Sequence, residues 1–257
     1  MKAGRRATPL RIREVRDPND KALAGAYRLL QRAFTAGELV PRRDLREAMM
    51  ERNRGILGEF NWHMFVAERG KVVVGVATIS YVGELNVGMI GYLAVRPTER
   101  STGLGLRLRA KLLQAVRRDA LRIRHRPLEA LVGEVRAGNP WLRHLVSVHQ
   151  ALALDFPYWQ PSIDGTASPV RLVLYYQPTA RERQSLGVSE VRRLLYVIWR
   201  RVYRVPRPMK NPTFRKMLKA LHGRRLLGSQ TMPGTGPVPR KVPPRRSPRP
   251  KARAARA

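Results

Sequence analysis

The stretch of this chain best equipped for chemistry is Arg100-Ser101-Thr102-Gly103-Leu104-Gly105-Leu106. It follows an apolar run, Gly91-Tyr92-Leu93-Ala94-Val95, and opens a segment in which Leu104, Leu108, Leu112, Leu113 and Val116 recur at helical spacing. A helix start leaves backbone N–H groups unpaired and carries the positive end of the helix dipole, so it suits an anion. Glycines at 103 and 105 let a phosphate-sized group approach the backbone with no Cβ in the way. Arg100 adds a permanent charge whose fork can hydrogen-bond phosphate oxygens. Glycine pairs also serve plain turns. Two familiar phosphate loops are excluded: no Gly-Lys-Ser/Thr ends the segment, and its spacing is not the dinucleotide-binding one.

Leu93-Ala94-Val95-Arg96-Pro97 followed by Arg100-Ser101-Thr102-Gly103-Leu104-Gly105 resembles motif A of the GNAT acetyltransferases, a hydrophobic strand ending in Val-x-Pro and then Gln/Arg-x-x-Gly-x-Gly/Ala. The specific likeness spans residues 88–120, and the element order agrees over 10–177. The resemblance implies an α/β fold, the GNAT acyl-CoA N-acyltransferase fold, with a mixed, mostly antiparallel sheet and flanking helices. It implies acetyl-CoA, or another short acyl-CoA, as co-substrate with no metal, and direct attack by an amine-bearing acceptor in a ternary complex. It further implies that backbone N–H groups from Thr102 to Leu106 hold the pyrophosphate, and that the strand at Leu93, Ala94 and Val95 splays from its neighbour to pair with the pantetheine arm. With Arg100 and Ser101, the expected cofactor-binding set is Leu93, Ala94, Val95, Arg100, Ser101, Thr102, Gly103, Leu104, Gly105 and Leu106.

The sequence departs from the family where proton transfer is concerned. Family members often carry a glutamate on the motif strand and a tyrosine in the next helix, but Met89 to Val95 contains no carboxylate. Leu154-Asp155-Phe156 stands where Leu-Gly-Phe is expected, which puts Ala151 at the tyrosine position. Orientation of the reactants and polarisation of the thioester by strand N–H groups need no such side chain. Two carboxylates are candidate bases, Glu84 just before the motif strand and Glu134 inside the apolar run Ala130 to Val135. A lone carboxylate in a buried strand is costly, so Glu134 is expected to be paired, edge-exposed or functional. Glu84 reads equally as a solvated turn residue. Tyr92 and Tyr158 are available as acids or as packing. His63, His144 and His149 can titrate near neutrality, but their scatter does not make a metal site. Trp62, Tyr81, Trp141 and Trp159 fit either an aromatic acceptor groove or the core.

The elements that must position these groups are legible in order. Pro9 to Arg16 alternates as a strand, and Asp17-Pro18-Asn19-Asp20 supplies cap chemistry for a helix through Leu23, Tyr27, Leu30 and Phe34. A second helix follows Pro41. Trp62–Ala67 and Val72–Tyr81 read as a hairpin across Glu68-Arg69-Gly70-Lys71, and Met89–Val95 as the next strand. After the motif helix come a buried strand (Leu128–Val135), a short helix opened by Asn139-Pro140, and a last strand (Val170–Tyr176). That order predicts a mixed sheet covered by helices.

The chain has 257 residues, and its 51 basic against 18 acidic residues give a net charge of +33. With no cysteine, disulfides and cysteine nucleophiles are excluded. Neither a signal-peptide block nor a transmembrane-length apolar run is present, so a cytoplasmic protein is expected. The last acidic residue is Glu190, and residues 191–257 hold 20 Lys or Arg. The expected organisation is a GNAT domain over 9–177, a basic amphipathic helical extension over 178–205, and a Pro/Arg-rich disordered tail over 206–257. The sheet is complete by Tyr176, so a chain ending near Gln177 to Arg204 is expected to keep its fold, with Val205 the safer cut because the apolar face of a 189–205 helix could cover that sheet. The basic C-terminal region could bind nucleic acid or anionic lipid without sequence preference, which makes a nucleic-acid- or membrane-associated protein with a secondary GNAT domain the rival to an enzyme.

Overall fold

The computed structural model describes residues 8–163 and 168–230. One mixed sheet organises them. β1 (Leu10–Val15), α1 (Ala22–Ala33) and α2 (Arg42–Asn53) are followed by the meander β2 (Phe60–Arg69), β3 (Val72–Val82) and β4 (Val87–Val95). Next come α3 (Leu104–Arg124), β5 (Ala130–Val135), α4 (Pro140–His149), β6 (Leu152–Ala153), β7 (Tyr158–Gln160) and β8 (Val170–Pro178). The strand order is β1-β2-β3-β4-β5-β8-β6, with β7 also on β8. All pairings in this sheet are antiparallel except β4–β5, which is parallel and bridged by α3.

Alternation along the strands sends side chains to two faces. On one face Met64, Val66, Val76 and Ala94 pack under α1 and α2. On the other, Phe65, Ala77, Ile79 and Tyr81 meet Leu104, Leu108, Leu112 and Val116 of α3. Asn139 caps α4 through Oδ1, which accepts the Trp141 N–H at 2.9 Å, and Pro140 starts the helix without losing a needed donor.

The region beyond the sheet differs from the sequence expectation. β9 (Leu186–Gly187), α5 (Val188–Val197), a wide helical turn (Ile198–Val202), α6 (Pro212–Ala220) and β10 (Leu226–Leu227) succeed one another. Residues 206–230, expected from composition to begin a disordered tail, pack instead: Phe214, Met217, Leu221 and Leu227 are fully buried, together with Trp199. They join Val87, Met89, Val132, Leu174 and Tyr176 of the sheet in one cluster. The sheet's hydrogen-bond ladder is finished at β8, but part of one of its faces packs against this C-terminal segment together with Leu152, Leu154, Phe156 and Tyr158. A cut at Val205 would leave α5 and Trp199 on this face and remove Phe214, Met217, Leu221 and Leu227 from the same cluster. Residues 231–257, with the rest of the expected tail, lie outside the described residues.

Candidate active site

The parallel ladder between β4 and β5 is short. It pairs Val87–Ile90 with Ala130–Gly133, and beyond that the strands diverge. Two local features accompany the parting. On β4, Gly91 and Tyr92 together oppose Thr78, a bulge marked by the Tyr92 N–H bonding to Thr78 Oγ1 at 2.9 Å. On β5, Gly133 lies under the ring of Tyr175: a Cβ there would come within 2.5 Å of the phenol oxygen. Only glycine lets Tyr175 cross the strand at this point.

The gap forms a cleft of about 720 Å³. Leu93, Ala94, Val95, Arg100 and Ser101 line one side, and Glu134, Arg136, Trp141 and Tyr175 the other. Backbone direction on β4 follows from its bonds to β3. Tyr92 N–H reaches Thr78 and Arg96 N–H reaches the Val74 carbonyl at 2.9 Å, so alternation turns the Leu93 and Val95 N–H groups toward the cleft. The residues read from the sequence as cofactor-binding thus occupy one continuous run, a strand edge leading to a helix start. At that start Ser101 (φ 61°) and Gly103 (φ 79°) adopt left-handed backbone, and the first bond within α3 runs from Arg107 N–H to the Gly103 carbonyl. The N–H groups of the preceding turn have no partner inside the helix. A Cβ at Gly103 would meet nothing within 4 Å, and one at Gly105 would only touch Leu93, so the space over the loop is open. Leu104 itself points into the core.

Glu134 and Glu84 part company. Glu134 lies in the cleft wall where the strands separate. Its two carboxylate oxygens accept hydrogen bonds from the Tyr158 and Tyr203 hydroxyls. Burial pushes its proton affinity up, the two tyrosines pull it down, the nearby Glu38 carboxylate pushes it up again, and the balance lies at about 7. Glu84 is outside the cleft. It sits in the β3–β4 turn with Oε1 at 2.5 Å from Arg201 Nε, while its carbonyl accepts from Arg193 at 2.9 Å. It is thus fastened to the C-terminal segment.

Other groups resolve into packing. The Tyr92 hydroxyl donates to the Glu38 carbonyl (2.9 Å) and accepts the Val40 N–H (3.0 Å), tying the α1–α2 connection to β4. Glu38 is held by Thr35 and by Arg136 at 2.8 Å. Trp141 lines the cleft, whereas Tyr81 is buried and donates to Asn86 Oδ1 at 2.8 Å. Trp62 packs beside α1 and α2, and Trp159 lies under Lys216 and Arg171. His63 belongs to a buried ion cluster, with Nδ1 at 2.6 Å from Glu14 and Nε2 at 2.6 Å from Asp119. His144 and His149 pack edge to face on α4. Ala151, at the expected tyrosine position, is buried. Among the described residues no three His, Cys, Asp or Glu side chains group as metal ligands, and no helix is long and apolar enough to cross a membrane. Tyr203 is the site residue that sequence reading missed. It comes from a basic segment 69 residues beyond its partner, with no local signal to connect them.

Comparison with known proteins agrees with this geometry. Residues 23–144 match the family model described as the acetyltransferase (GNAT) family. Among solved structures, a GNAT-family protein from Bacteroides thetaiotaomicron aligns at TM-score 0.55 and 16% identity, covering 76% of this chain and 99% of that one. Ard1 from Thermoplasma volcanium aligns at 0.47 and 18%, covering 67% and 99%. Ribosomal-protein-alanine N-acetyltransferase from Brucella melitensis aligns at 0.47 and 20%, covering 66% and 99%. No curated protein sequence matches. Residues 23–144 are thus similar to the GNAT acetyltransferase family, and the fold of the described residues is similar to that of a GNAT-family protein.

Proposed function

We propose that this protein is an acetyl-CoA-dependent N-acetyltransferase that uses Glu134 as its general base. One observation carries the proposal: a single cleft is lined by the edge of β4, by Arg100 and Ser101 at the α3 start, and by a carboxylate poised near neutrality. The residues fit a pyrophosphate-bearing thioester. Open space over Gly103 and Gly105 and unpaired helix-start N–H groups suit the phosphates, with Arg100 as counter-charge. Leu93 and Val95 offer N–H groups to an extended amide-bearing arm and to the thioester oxygen.

The bound co-substrate supplies an activated acetyl group: the C–N bond to the acceptor forms as the C–S bond breaks, and the sulfur leaves with CoA. The protein's part is to align the reactants and to take a proton. An amine arrives mainly as the ammonium ion; Glu134 accepts one proton at Oε1 or Oε2 before attack, and the second, released as the amide forms, passes to the departing thiolate, which leaves as the thiol. Because Glu134 must be ionised to do so, kcat/KM is expected to rise with pH through about 7.

The test is thermal melting with and without acetyl-CoA, followed by an acceptor-amine screen read by free thiol. Acetyl-CoA should raise the melting temperature by mass action, and the double variant Gly103→Val/Gly105→Val should stay folded and lose that rise. No rise for the wild type at millimolar acetyl-CoA would overturn the proposal. Activity of Glu134→Gln equal to wild type would remove Glu134 from it.

A further inference from the structure

The carboxylate in the cleft is held from two directions, and one of them originates far outside the matched GNAT region. Tyr158, on β7, bonds Glu134 Oε1. Tyr203 bonds Oε2 and comes directly after the wide turn that ends α5. We propose that Tyr203 is a positioning residue for the general base, so that the C-terminal segment 186–230 is a working part of the active site; the proposal rests on Glu134 being that base.

The segment is built to hold this hydroxyl in place. The turn Ile198–Val202 is closed by a bond from Tyr203 N–H to the Ile198 carbonyl at 3.1 Å, five residues back. One residue more than an α-turn rotates the next side chain by about 100° about the helix axis, which re-aims Tyr203. The next bond, from Val205 N–H to the Trp199 carbonyl at 2.9 Å, fixes the chain on its far side. Trp199 is fully buried, and its ring lies 5.1 Å from that of Phe214 on α6. Tyr203 therefore inherits its position from the packing of α5 on α6.

The chemistry rests on lone pairs. Each carboxylate oxygen has two acceptor sites, so one hydroxyl on each still leaves a site for the incoming ammonium. Two donors also fix the carboxylate plane, which an unassisted glutamate side chain does not do. Hydrogen bonds to the ionised form keep the proton affinity from rising as far as burial alone would take it. The ionisable groups that feel Glu134 are Tyr158, Tyr203, Glu38, Tyr92 and Tyr175. Arg136, two residues along, is engaged with Glu38. No cation among these bonds Glu134 directly, so the tyrosine hydroxyls are what favours its charge. A lost hydrogen bond to a charged group corresponds to roughly one pH unit or slightly more.

The experiment uses the full chain labelled with 13C at the glutamate carboxyl, the Glu134 signal being assigned by its loss in Glu134→Gln. Titration by NMR should place wild-type Glu134 near neutrality and move it up by about one pH unit in Tyr203→Phe, which removes one oxygen and keeps the ring. With an amine from the acceptor screen, the acidic limb of kcat/KM should move by the same amount, a loss of about tenfold below it that recovers at high pH. Acetyl-CoA-dependent melting of Tyr203→Phe verifies the fold, and Tyr203→Met serves if the first variant is unstable. Superimposable titrations, or an activity loss equal at every pH, would overturn the role of Tyr203. Glu134→Gln at wild-type rate would instead overturn the base assignment, a separate failure.

Discussion

Replacing Phe214 by alanine perturbs the packing of the C-terminal segment at a residue that does not itself line the cleft. Phe214 has no exposed surface, lies with its ring tilted 5.1 Å from that of Trp199 and edge-on 6.4 Å from that of Tyr196, and belongs to the cluster that covers Val132, Leu174 and Tyr176 of the sheet. Truncating a buried phenylalanine costs about 3–5 kcal/mol through lost transfer free energy and the cavity left behind. With a urea m-value of about 2–3 kcal/mol/M, the midpoint should fall by about 1–2 M. Deleting the segment is more severe. Ending the chain at Val205 removes Phe214, Met217, Leu221 and Leu227, all fully buried. Each side chain is worth about 2–5 kcal/mol, against a total stability of about 5–15 kcal/mol. The 1–205 chain should therefore fail to fold cooperatively, while a chain ending at Gln230 should melt with the full-length protein. Urea unfolding by tryptophan fluorescence measures all three. If the 1–205 chain unfolds at the full-length midpoint, or Phe214→Ala shifts it by less than about 0.3 M, the segment is an appendage and its burial carries no stability.

Two further outcomes are expected. Burial of His63 opposes its charge, but its hydrogen bonds to Asp119 and Glu14 outweigh that and raise its proton affinity above the ordinary value. Its contribution is therefore complete below pH ~6.5 and fades as pH rises through the folded-state value, while Glu14 (lowered to about 2) and Asp119 (also lowered) keep theirs until strongly acid pH. Melting of wild type and His63→Asn should converge as pH rises from 6 to 9, and a constant gap would refute the pairing. Gly133→Ala should cost about 1–3 kcal/mol by pushing the Tyr175 ring aside and should weaken acetyl-CoA-dependent melting, because Tyr175 lines the cleft; unchanged melting with and without ligand would show that the close contact relaxes freely.

The strand–loop–helix from Leu93 to Leu106, proposed to bind the co-substrate, was legible as structure because it is local: strand alternation, a glycine pair and helical spacing fall within some thirty residues. Glu134 was legible as an anomaly, a carboxylate inside an apolar strand, though its partners were not. Tyr203 meets it only through the packing of α5 on α6, and no period in the sequence encodes that meeting. The fold of residues 206–230 was obscured by composition. Prolines and cations dilute the apolar signal there, yet Asn211-Pro212 repeats the cap-and-proline start of Asn139-Pro140, and Phe214, Met217, Leu218 and Leu221 have helical spacing. Glu84 looked available because the sequence gives no sign that Arg201, in a distant turn, closes on it.

The four-register ladder between Val87–Ile90 and Ala130–Gly133 also has a mechanical meaning. It makes the sheet two leaves on a short spine, with α3 as the strap that crosses from one to the other. Past the spine no strand-to-strand rung joins the leaves, and a tie that crosses the gap is the Arg136–Glu38 pair, whose glutamate is bonded through its carbonyl to Tyr92 of β4. An extended molecule lying along β4 would act there as a strut, restoring rungs the two strands do not make with each other. Hydrogen exchange would register this directly: the Leu93 and Val95 amides, open in the free protein, would slow when the gap is filled, while those of Tyr92 and Arg96, already bonded on the β3 side, would hardly change.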